Sequence, residues 1–368
     1  MAASQVLMKT IIHVVGARPN YMKIAPLMAA LEGTPGIRQL LVNTGQHYDE
    51  VMSTGFLKEL GLPAPDRNLN VGSASHAVQT AKVMLGFETV CLEDKPDLVV
   101  VAGDVNSTMA ATIVAAKLLI PVAHLEAGLR SFDRQMPEEI NRIVTDRLAD
   151  LLLTPSKDAD DNLRAEGASE DRIHLVGNIM IDTLMRQLPL ASLDRLRGRV
   201  DVTKGQYAVL TLHRPSNVDD PQALGPILDA LRVIAARLPI VFPVHPRTRE
   251  RLRAFGVNMP DGVIMAEPMG YIDFLSLTSN ARIVLTDSGG LQEESTALGI
   301  PCLTLRENTE RPATVTDGTN RIVGMRTQAI LASFEDAMAG RVLPRRPPLW
   351  DGQTAPRTAA VLTKFLAG

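Results

Sequence analysis

Residues 98–130 read LVVVAGDVNSTMAATIVAAKLLIPVAHLEAGLR. An unbroken apolar run, Leu98–Ala102, ends in a glycine turn, and a helical stretch, Thr108–Leu119, leads to a second run, Pro121–His124. Runs of β-branched residues without polar alternation mark parallel strands buried on both faces. The unit is strand–helix–strand, and it recurs outward along the chain. Ile11–Val15, Leu40–Asn43, Leu151–Thr154 and Ile173–Val176 read as strands, with helices such as Tyr21–Leu31 and Ser75–Leu92 between them. This alternation predicts an α/β, doubly wound parallel sheet of Rossmann-like type. The pattern weakens over 179–204 and restarts at Tyr207–Leu212, Ile240–Val244, Val263–Met265, Ile283–Thr286 and Cys302–Leu305. Two Rossmann-like domains are therefore expected, 1–180 and 181–349, followed by a helix at about 350–368. Paired α/β domains make a cleft, and ligands bind beyond the carboxyl ends of the strands.

Composition agrees with this. The 368 residues fit two domains of about 180. Apolar residues at 45% and charged residues at 21% exclude disorder and a fibre. Thirty-eight basic against 41 acidic residues leave a charge of −3, with no global pull toward nucleic acid or an anionic membrane. Cys91 and Cys302 are too few for a disulfide framework or a Cys-rich zinc site and suit a reducing cytoplasm. No apolar run reaches the roughly 18 residues of a membrane span. Met1–Thr10 lacks the apolar core of a signal peptide.

The residues just past each strand carry the chemistry. After the first strand stands Gly16-Ala17-Arg18-Pro19-Asn20-Tyr21-Met22-Lys23, a glycine turn into a helix with two cations. It reads as an anion site, through backbone N–H groups and the Arg18 fork, or as an ordinary turn. Asp104 and Glu126 follow two successive strands of one sheet, so both should face one crevice. Singly, Asp104 also reads as a turn or cap residue, and Glu126 as the ion-pair partner of Arg130 or Arg134. In Pro137-Glu138-Glu139-Ile140-Asn141-Arg142, the residues Ile140, Val144 and Leu148 are expected to form the buried stripe. Glu138 and Arg142, four apart, share another face. They form a surface pair or a third carboxylate held by its arginine.

In the second half, His213 and His245 each stand directly after a strand. Imidazolium binds phosphate and moves protons. Thr286-Asp287-Ser288-Gly289-Gly290-Leu291-Gln292-Glu293-Glu294 is strand, Ser-Gly-Gly turn, helix. Its glycines let backbone approach a phosphate, Ser288 can add a hydrogen bond, and Glu294 can accept from ribose hydroxyls. The alternative is a plain helix cap. G-x-G-x-x-G after the first strand, the P-loop, G-x-S-x-G, C-x-x-C and H-E-x-x-H are all missing. Dinucleotide, P-loop, serine-hydrolase and zinc chemistries lose ground accordingly.

Taken in order, Gly16-Ala17-Arg18-Pro19, Thr44-Gly45-Gln46-His47, Gly103-Asp104, His124-Leu125-Glu126-Ala127-Gly128-Leu129-Arg130, Pro137-Glu138-Glu139-Ile140-Asn141-Arg142, His213-Arg214, Thr286-Asp287-Ser288-Gly289-Gly290 and Thr309-Glu310-Arg311-Pro312 resemble the non-hydrolysing UDP-N-acetylglucosamine 2-epimerases along nearly the whole chain. The resemblance implies two Rossmann-like domains in a glycosyltransferase-B (GT-B) arrangement, with UDP-sugar in the cleft and the C-terminal helix packed on the first domain. It also implies a cytoplasmic homodimer with no metal or redox cofactor. By position, Asp104, Glu126, Glu138 and His213 match the catalytic residues. Arg18, Ser288, Gly289 and Gly290 match the diphosphate site, Glu294 the ribose ligand and Phe274 a residue beside uracil. Lys23, Arg142 and Arg311 match cationic positions of the site, and His245 is carried as a further substrate contact. Gln46 and His47 match part of a second, allosteric site, although Ser75-His76 stands where an Arg-Gln pair is common.

The implied reaction is reversible inversion at C2 of UDP-N-acetylglucosamine, giving UDP-N-acetylmannosamine. Departures bear on the substrate. His213-Arg214-Pro215-Ser216-Asn217 replaces the more usual His-Arg-Arg-Glu-Asn, and Arg311-Pro312-Ala313 lacks the glutamate common after proline. Relatives acting on UDP-2,3-diacetamido-glucuronate share most of the motifs and give the alternative substrate. Arg18-Pro19-Asn20 differs from the Arg-Ala-Asp of hydrolysing relatives. A glycosyltransferase or a non-catalytic sugar-nucleotide sensor would have less use for three carboxylates.

Overall fold

The computed structural model describes residues 8–46 and 54–368. Two compact units divide the chain: residues to Thr183 with Pro348–Gly368, and Leu184–Pro347. Each holds one wholly parallel sheet.

In the first unit the strands are β1 (Lys9–Val15), β2 (Ile37–Asn43), β3 (Arg67–Asn68), β4 (Leu98–Ala102), β5 (Val122–Leu125), β6 (Leu151–Thr154) and β7 (Ile173–Leu175), in the order β3-β2-β1-β4-β5-β6-β7. In the second they are β8 (Ala208–Thr211), β9 (Ile240–Pro243), β10 (Val263–Ala266), β11 (Ile283–Thr286), β12 (Cys302–Thr304) and β13 (Asn320–Ile322), in the order β10-β9-β8-β11-β12-β13. Ile11 lies opposite Leu98, and Thr211 opposite Thr286. Chain order reverses between β1 and β4 and between β8 and β11. These are the switch points at which such sheets open a crevice.

The central strands are apolar and wholly buried, as their runs of Val, Leu and Ile require: every residue of β4 is inaccessible to solvent. The edge strands β3 and β13 escape the sequence reading. Each has two or three residues, largely polar, with β3 exposed throughout and β13 partly so, and no apolar run announces either. Around residue 182 the chain serves the C-terminal helix Thr354–Ala367. The Asp182 carboxylate accepts the Thr354 and Ala355 N–H groups at 3.1 and 2.7 Å, which satisfies donors that a helix start leaves open. That helix packs on the helix Arg18–Leu31 of the same unit. Among the described residues no helix is long and apolar enough to cross a membrane.

The helix Pro137–Leu148 corrects an expectation. Its buried residues are Glu139, Asn141, Arg142, Thr145 and Asp146, whereas Ile140 and Val144 are half-buried and Leu148 is exposed. Charge is tolerated inside only where it is paired and hydrogen-bonded. Here the partners arrive from other elements and turn the polar face inward.

Candidate active site

At the β1–β4 switch point, carboxylates and cations alternate. Asp104 follows β4 and does not cap the next helix, whose N-cap is Val105. Its Oδ2 accepts from Arg142 Nε at 3.0 Å and Nη2 at 2.6 Å. Arg142 Nη1 meanwhile donates to Glu139 at 2.7 Å. Arg142 thus grips Asp104 and Glu139, where the sequence had pointed to Glu138. Glu139 is anchored by Ser131 N–H and Oγ and by Phe132 N–H. Burial pushes its carboxyl up, but these donors and Arg142 outweigh burial and hold it below the usual range. A buried anion therefore orients the arginine that orients Asp104.

Glu126 follows β5 and pairs with buried Lys23; Arg130 goes instead to Asp146 and Glu166. Lys23 lies against the turn after β4, where a Cβ on Gly103 would meet its Nζ at 2.7 Å. Glu126 holds φ +78°, a conformation that costs a non-glycine residue energy and clusters at functional sites. Glu138 and Asp104 line one open pocket of about 260 Å³ with Gln46, His76, Gln79, Asn106 and Asn141. Gln46 Oε1 is engaged by Ser107 N–H and Oγ, at 3.1 and 2.7 Å, which fixes the start of the helix Asn106–Lys117. His47 lies outside the described residues.

The turn after β1 behaves differently from the anion cradle expected of it. Gly16 and Ala17 N–H both donate to Asn20 Oδ1, at 3.2 and 2.9 Å, so those amides are engaged internally. The Arg18 side chain is half-buried at the helix start.

In the second unit, Ser288 is the N-cap of the helix Gly289–Leu298, yet its side chain makes no cap bond. The plain-cap reading therefore loses its hydrogen bond. Gly289 is closely approached: a Cβ there would lie 2.9 Å from Arg311 Nη1 and from Glu310 Oε1. Arg311 pairs with Glu293 and Glu310, both at 2.9 Å. Arg306 and Arg214 also reach Glu310, at 2.9 and 3.5 Å. Burial pushes the Glu310 carboxyl up, but Arg311 and Arg306 prevail and bring it to about 2. Three arginines thus meet two carboxylates beside a helix N-terminus, an arrangement that favours an anion.

His213 stands after β8, its Nδ1 3.0 Å from buried Asp287. His245, after β9, is a helix cap: its Nδ1 accepts the Arg247 N–H at 3.3 Å. Phe274 packs, half-buried, on the core under β8 and β11. Glu294 is buried and accepts the Tyr271 hydroxyl at 3.0 Å. Glu139, Asp287 and Tyr271 were passed over in the sequence. Glu139 was visible in principle as an acid three before Arg142, and Asp287 as an acid ending a strand at the Ser-Gly-Gly turn.

Burial, with Glu293 adding to it and the Tyr271 bond opposing, pushes the Glu294 carboxyl up to about 7 from 4.5. The folded state therefore keeps a proton that the unfolded state releases near pH 4.5. Stability from this group is complete below pH 4.5 and is lost as pH rises through 7, on the order of 3 kcal/mol. Glu294→Gln is expected to remove that slope. Denaturant titrations at pH 5 and pH 8 should differ less in the variant than in the wild type, and an unchanged difference would contradict the assignment.

A sequence model of the family described as UDP-N-acetylglucosamine 2-epimerase matches residues 29–363. A UDP-N-acetylglucosamine 2-epimerase of Methanocaldococcus jannaschii is 42% identical over 359 residues, which cover 95% of this chain and 98% of that protein. A UDP-2,3-diacetamido-2,3-dideoxy-D-glucuronate 2-epimerase of Pseudomonas aeruginosa is 37% identical, covering 96% of this chain and 99% of that one. The crystal structure of the M. jannaschii UDP-GlcNAc 2-epimerase in complex with UDP-GlcNAc and UDP superposes with a TM-score of 0.86 at 41% identity, covering 97% of this chain and all of that one. With the match spanning most of the chain, this protein belongs to the UDP-N-acetylglucosamine 2-epimerase family.

Proposed function

We propose that the protein interconverts UDP-N-acetylglucosamine and UDP-N-acetylmannosamine by elimination and re-addition. C2 of the hexose has no neighbouring carbonyl, so its proton is not acidic. Breaking C1–O first makes C1 oxocarbenium-like and acidifies C2–H. The C–H electron pair then forms the C1=C2 bond of 2-acetamidoglucal, and UDP leaves with the C1–O pair. Re-addition of UDP at C1, with a proton delivered to the opposite face of C2, gives the epimer. The chemistry needs acid/base groups on two faces and a held leaving group. Asp104, Glu126 and Glu138 are assigned the proton transfers, with Lys23 and Arg142 setting their charge. Arg18, His213, His245, Ser288, Gly289, Gly290 and Arg311 are assigned to the diphosphate, and Glu294 and Phe274 to the uridine. The observation that best supports this is the carboxylate group around the β4 and β5 ends, with strained Glu126 among its members.

The test is UDP-N-acetylglucosamine in D₂O followed by NMR. Deuterium should appear at C2 together with a manno-configured product, while free UDP stays low. Sustained accumulation of free UDP would mean hydrolysis instead. The Pseudomonas relative and the Pro215-Ser216 departure favour a second reading, UDP-2,3-diacetamido-glucuronate as substrate; faster exchange with that sugar would select it.

A homodimer acting in the cytoplasm completes the proposal. Cys91 and Cys302 are buried and free, in keeping with a reducing compartment. Val78, Leu85 and Leu92 recur every seven residues on the helix His76–Asp94, 47, 70 and 59% exposed. An apolar groove lined by Ala77, Ala81, Met84, Met109 and Ile140 adjoins them. Heptad apolar spacing on an exposed helix face suits a second copy. Leu85→Asp is expected to shift sedimentation from dimer to monomer; a monomeric wild type would refute the surface.

A further inference from the structure

The two histidines that follow neighbouring strands are set in opposite ways. His245 Nδ1 accepts a backbone N–H, at 3.3 Å, which in the neutral ring leaves the proton on Nε2. His213 Nδ1 faces a carboxylate, which in the neutral ring places the proton on Nδ1. That carboxylate, Asp287, is wholly inaccessible to solvent, while the His213 side chain is 47% exposed. The ring therefore has one edge anchored and turns Nε2 outward.

Asp287 is itself held from several sides. Its Oδ2 accepts His213 N–H at 2.9 Å, Arg214 N–H at 2.9 Å and Asn217 Nδ2 at 3.2 Å. Its own N–H donates to Thr211 O at 3.3 Å. Next to it, Thr286 Oγ1 accepts Ser288 N–H at 2.9 Å and bonds Thr211 Oγ1 at 2.5 Å. Burial pushes the Asp287 carboxyl up, but the His213 ring and the backbone donors outweigh that and hold it below the usual range. With three donors on Oδ2, the ring is left with Oδ1, which the His213 N–H also reaches at 3.2 Å. Asp287 also follows β11 and His213 follows β8, so the pair spans the switch point of this sheet.

We propose that Asp287 is a positioning residue for the reaction: it fixes the orientation and tautomer of His213, so that Nε2 is the atom presented to the departing diphosphate. This rests on the proposed placement of His213 beside the diphosphate. Protonated, Nε2–H donates to the diphosphate as the C1–O bond breaks and the electron pair passes to oxygen. Neutral, Nε2 presents its lone pair and takes a proton back on re-addition. A neutral ring protonated on Nε2 alone can donate a hydrogen bond there, but it neither gives up that proton nor has an Nε2 lone pair to take one back.

The geometry makes Asp287→Asn a sharp test. In the variant the amide oxygen must serve the three donors now on Oδ2, so the NH₂ group takes the place of Oδ1. Nδ1 then has to accept, and the neutral ring is forced into the Nε2–H tautomer. Nitrogen-15 NMR of the full-length wild type should show His213 as Nδ1–H when neutral, and the variant should show Nε2–H. Turnover should fall about 100-fold in kcat, with KM changed far less. Combined with His213→Gln, Asp287→Asn should add little further loss, because one residue acts through the other.

An Nε2–H tautomer in the wild type overturns the proposal without any variant, so a poorly folding Asp287→Asn does not shelter it. Equal losses from Asp287→Asn with and without His213 overturn it as well, since that is the mark of a purely structural residue. Unchanged turnover in His213→Gln would refute the placement of His213 itself, whereas the wrong tautomer refutes only what is assigned to Asp287.

Discussion

In D₂O, the Asp104→Asn variant is expected to incorporate deuterium at C2 of the UDP-sugar on the order of 10³-fold more slowly than the wild type, in line with removal of a general acid/base group. The size of the effect rests on how little else the substitution disturbs. Asparagine is isosteric, and its oxygen can keep both bonds from Arg142 that now reach Oδ2. Arg142 also retains Glu139. The Asp104 side chain is 26% exposed and Arg142 is buried, so losing the charge while keeping the hydrogen bonds should cost about 1–3 kcal/mol in stability. UDP affinity should stay within about twofold, because Asp104 faces no phosphate in the proposed assignment. Starting the assay from each epimer adds information. If the carboxylates divide the two faces of the ring, Asp104→Asn blocks proton removal from one epimer and the proton return that re-forms that same epimer, which names its face. Exchange at the wild-type rate in both directions would take Asp104 out of the mechanism.

The strands and the site turns were legible for one reason: a parallel sheet buried on both faces writes its strands as apolar runs, and such sheets act at the ends of those runs. Asp104, Glu126, His213 and Ser288 were found because each is among the first residues past such a run. Their pairings were not, because nothing local marks them. Lys23, carried only as a cation of the site, is buried against Glu126. Asp287 reads as a strand end, although its oxygens gather four donor atoms from 213, 214 and 217. The helix Pro137–Leu148 shows the same gap in a sharper form. Periodicity assigns the apolar residues Ile140, Val144 and Leu148 to the interior, since hydrophobic burial is the default. The interior face is nevertheless Glu139, Arg142 and Asp146, because Asp104, Ser131 and Arg130 supply their counterparts from distant turns. Ile140, of the displaced apolar stripe, then lines the groove proposed for a second copy.

Asp146 carries the largest expected effect on stability. It is fully buried and acts as the hub of three turns. Oδ1 meets His124 Nδ1 at 2.6 Å, and Oδ2 meets Arg130 Nη1 at 2.7 Å and Gly128 N–H at 3.1 Å. His124 Nε2 contacts the Gly103 carbonyl at 2.9 Å, so the hub extends to the turn that carries Asp104. Asp146→Ala leaves Arg130 with Glu166 and the Leu129 carbonyl only and strands donors that water does not reach. Breaking a buried pair in this way costs about 3–5 kcal/mol, a large part of a typical domain's stability. Asp146→Asn should cost less, since its oxygen can still serve Gly128 and Arg130 while its NH₂ faces a neutral His124 that accepts on Nδ1. Burial pushes the Asp146 carboxyl up, but His124 and Arg130 outweigh burial and hold it below its ordinary 3.8. For a depressed carboxylate the sign is fixed: the stabilisation is complete above pH 3.8 and is lost as pH falls through the lower, folded value. Denaturant unfolding should therefore separate wild type and Asp146→Ala fully at pH 7 and less as the pH drops below 3.8. A gap that stayed constant into acid would mean that the charge on Asp146 contributes nothing, and that the turns around Gly103 and Gly128 are held by packing alone.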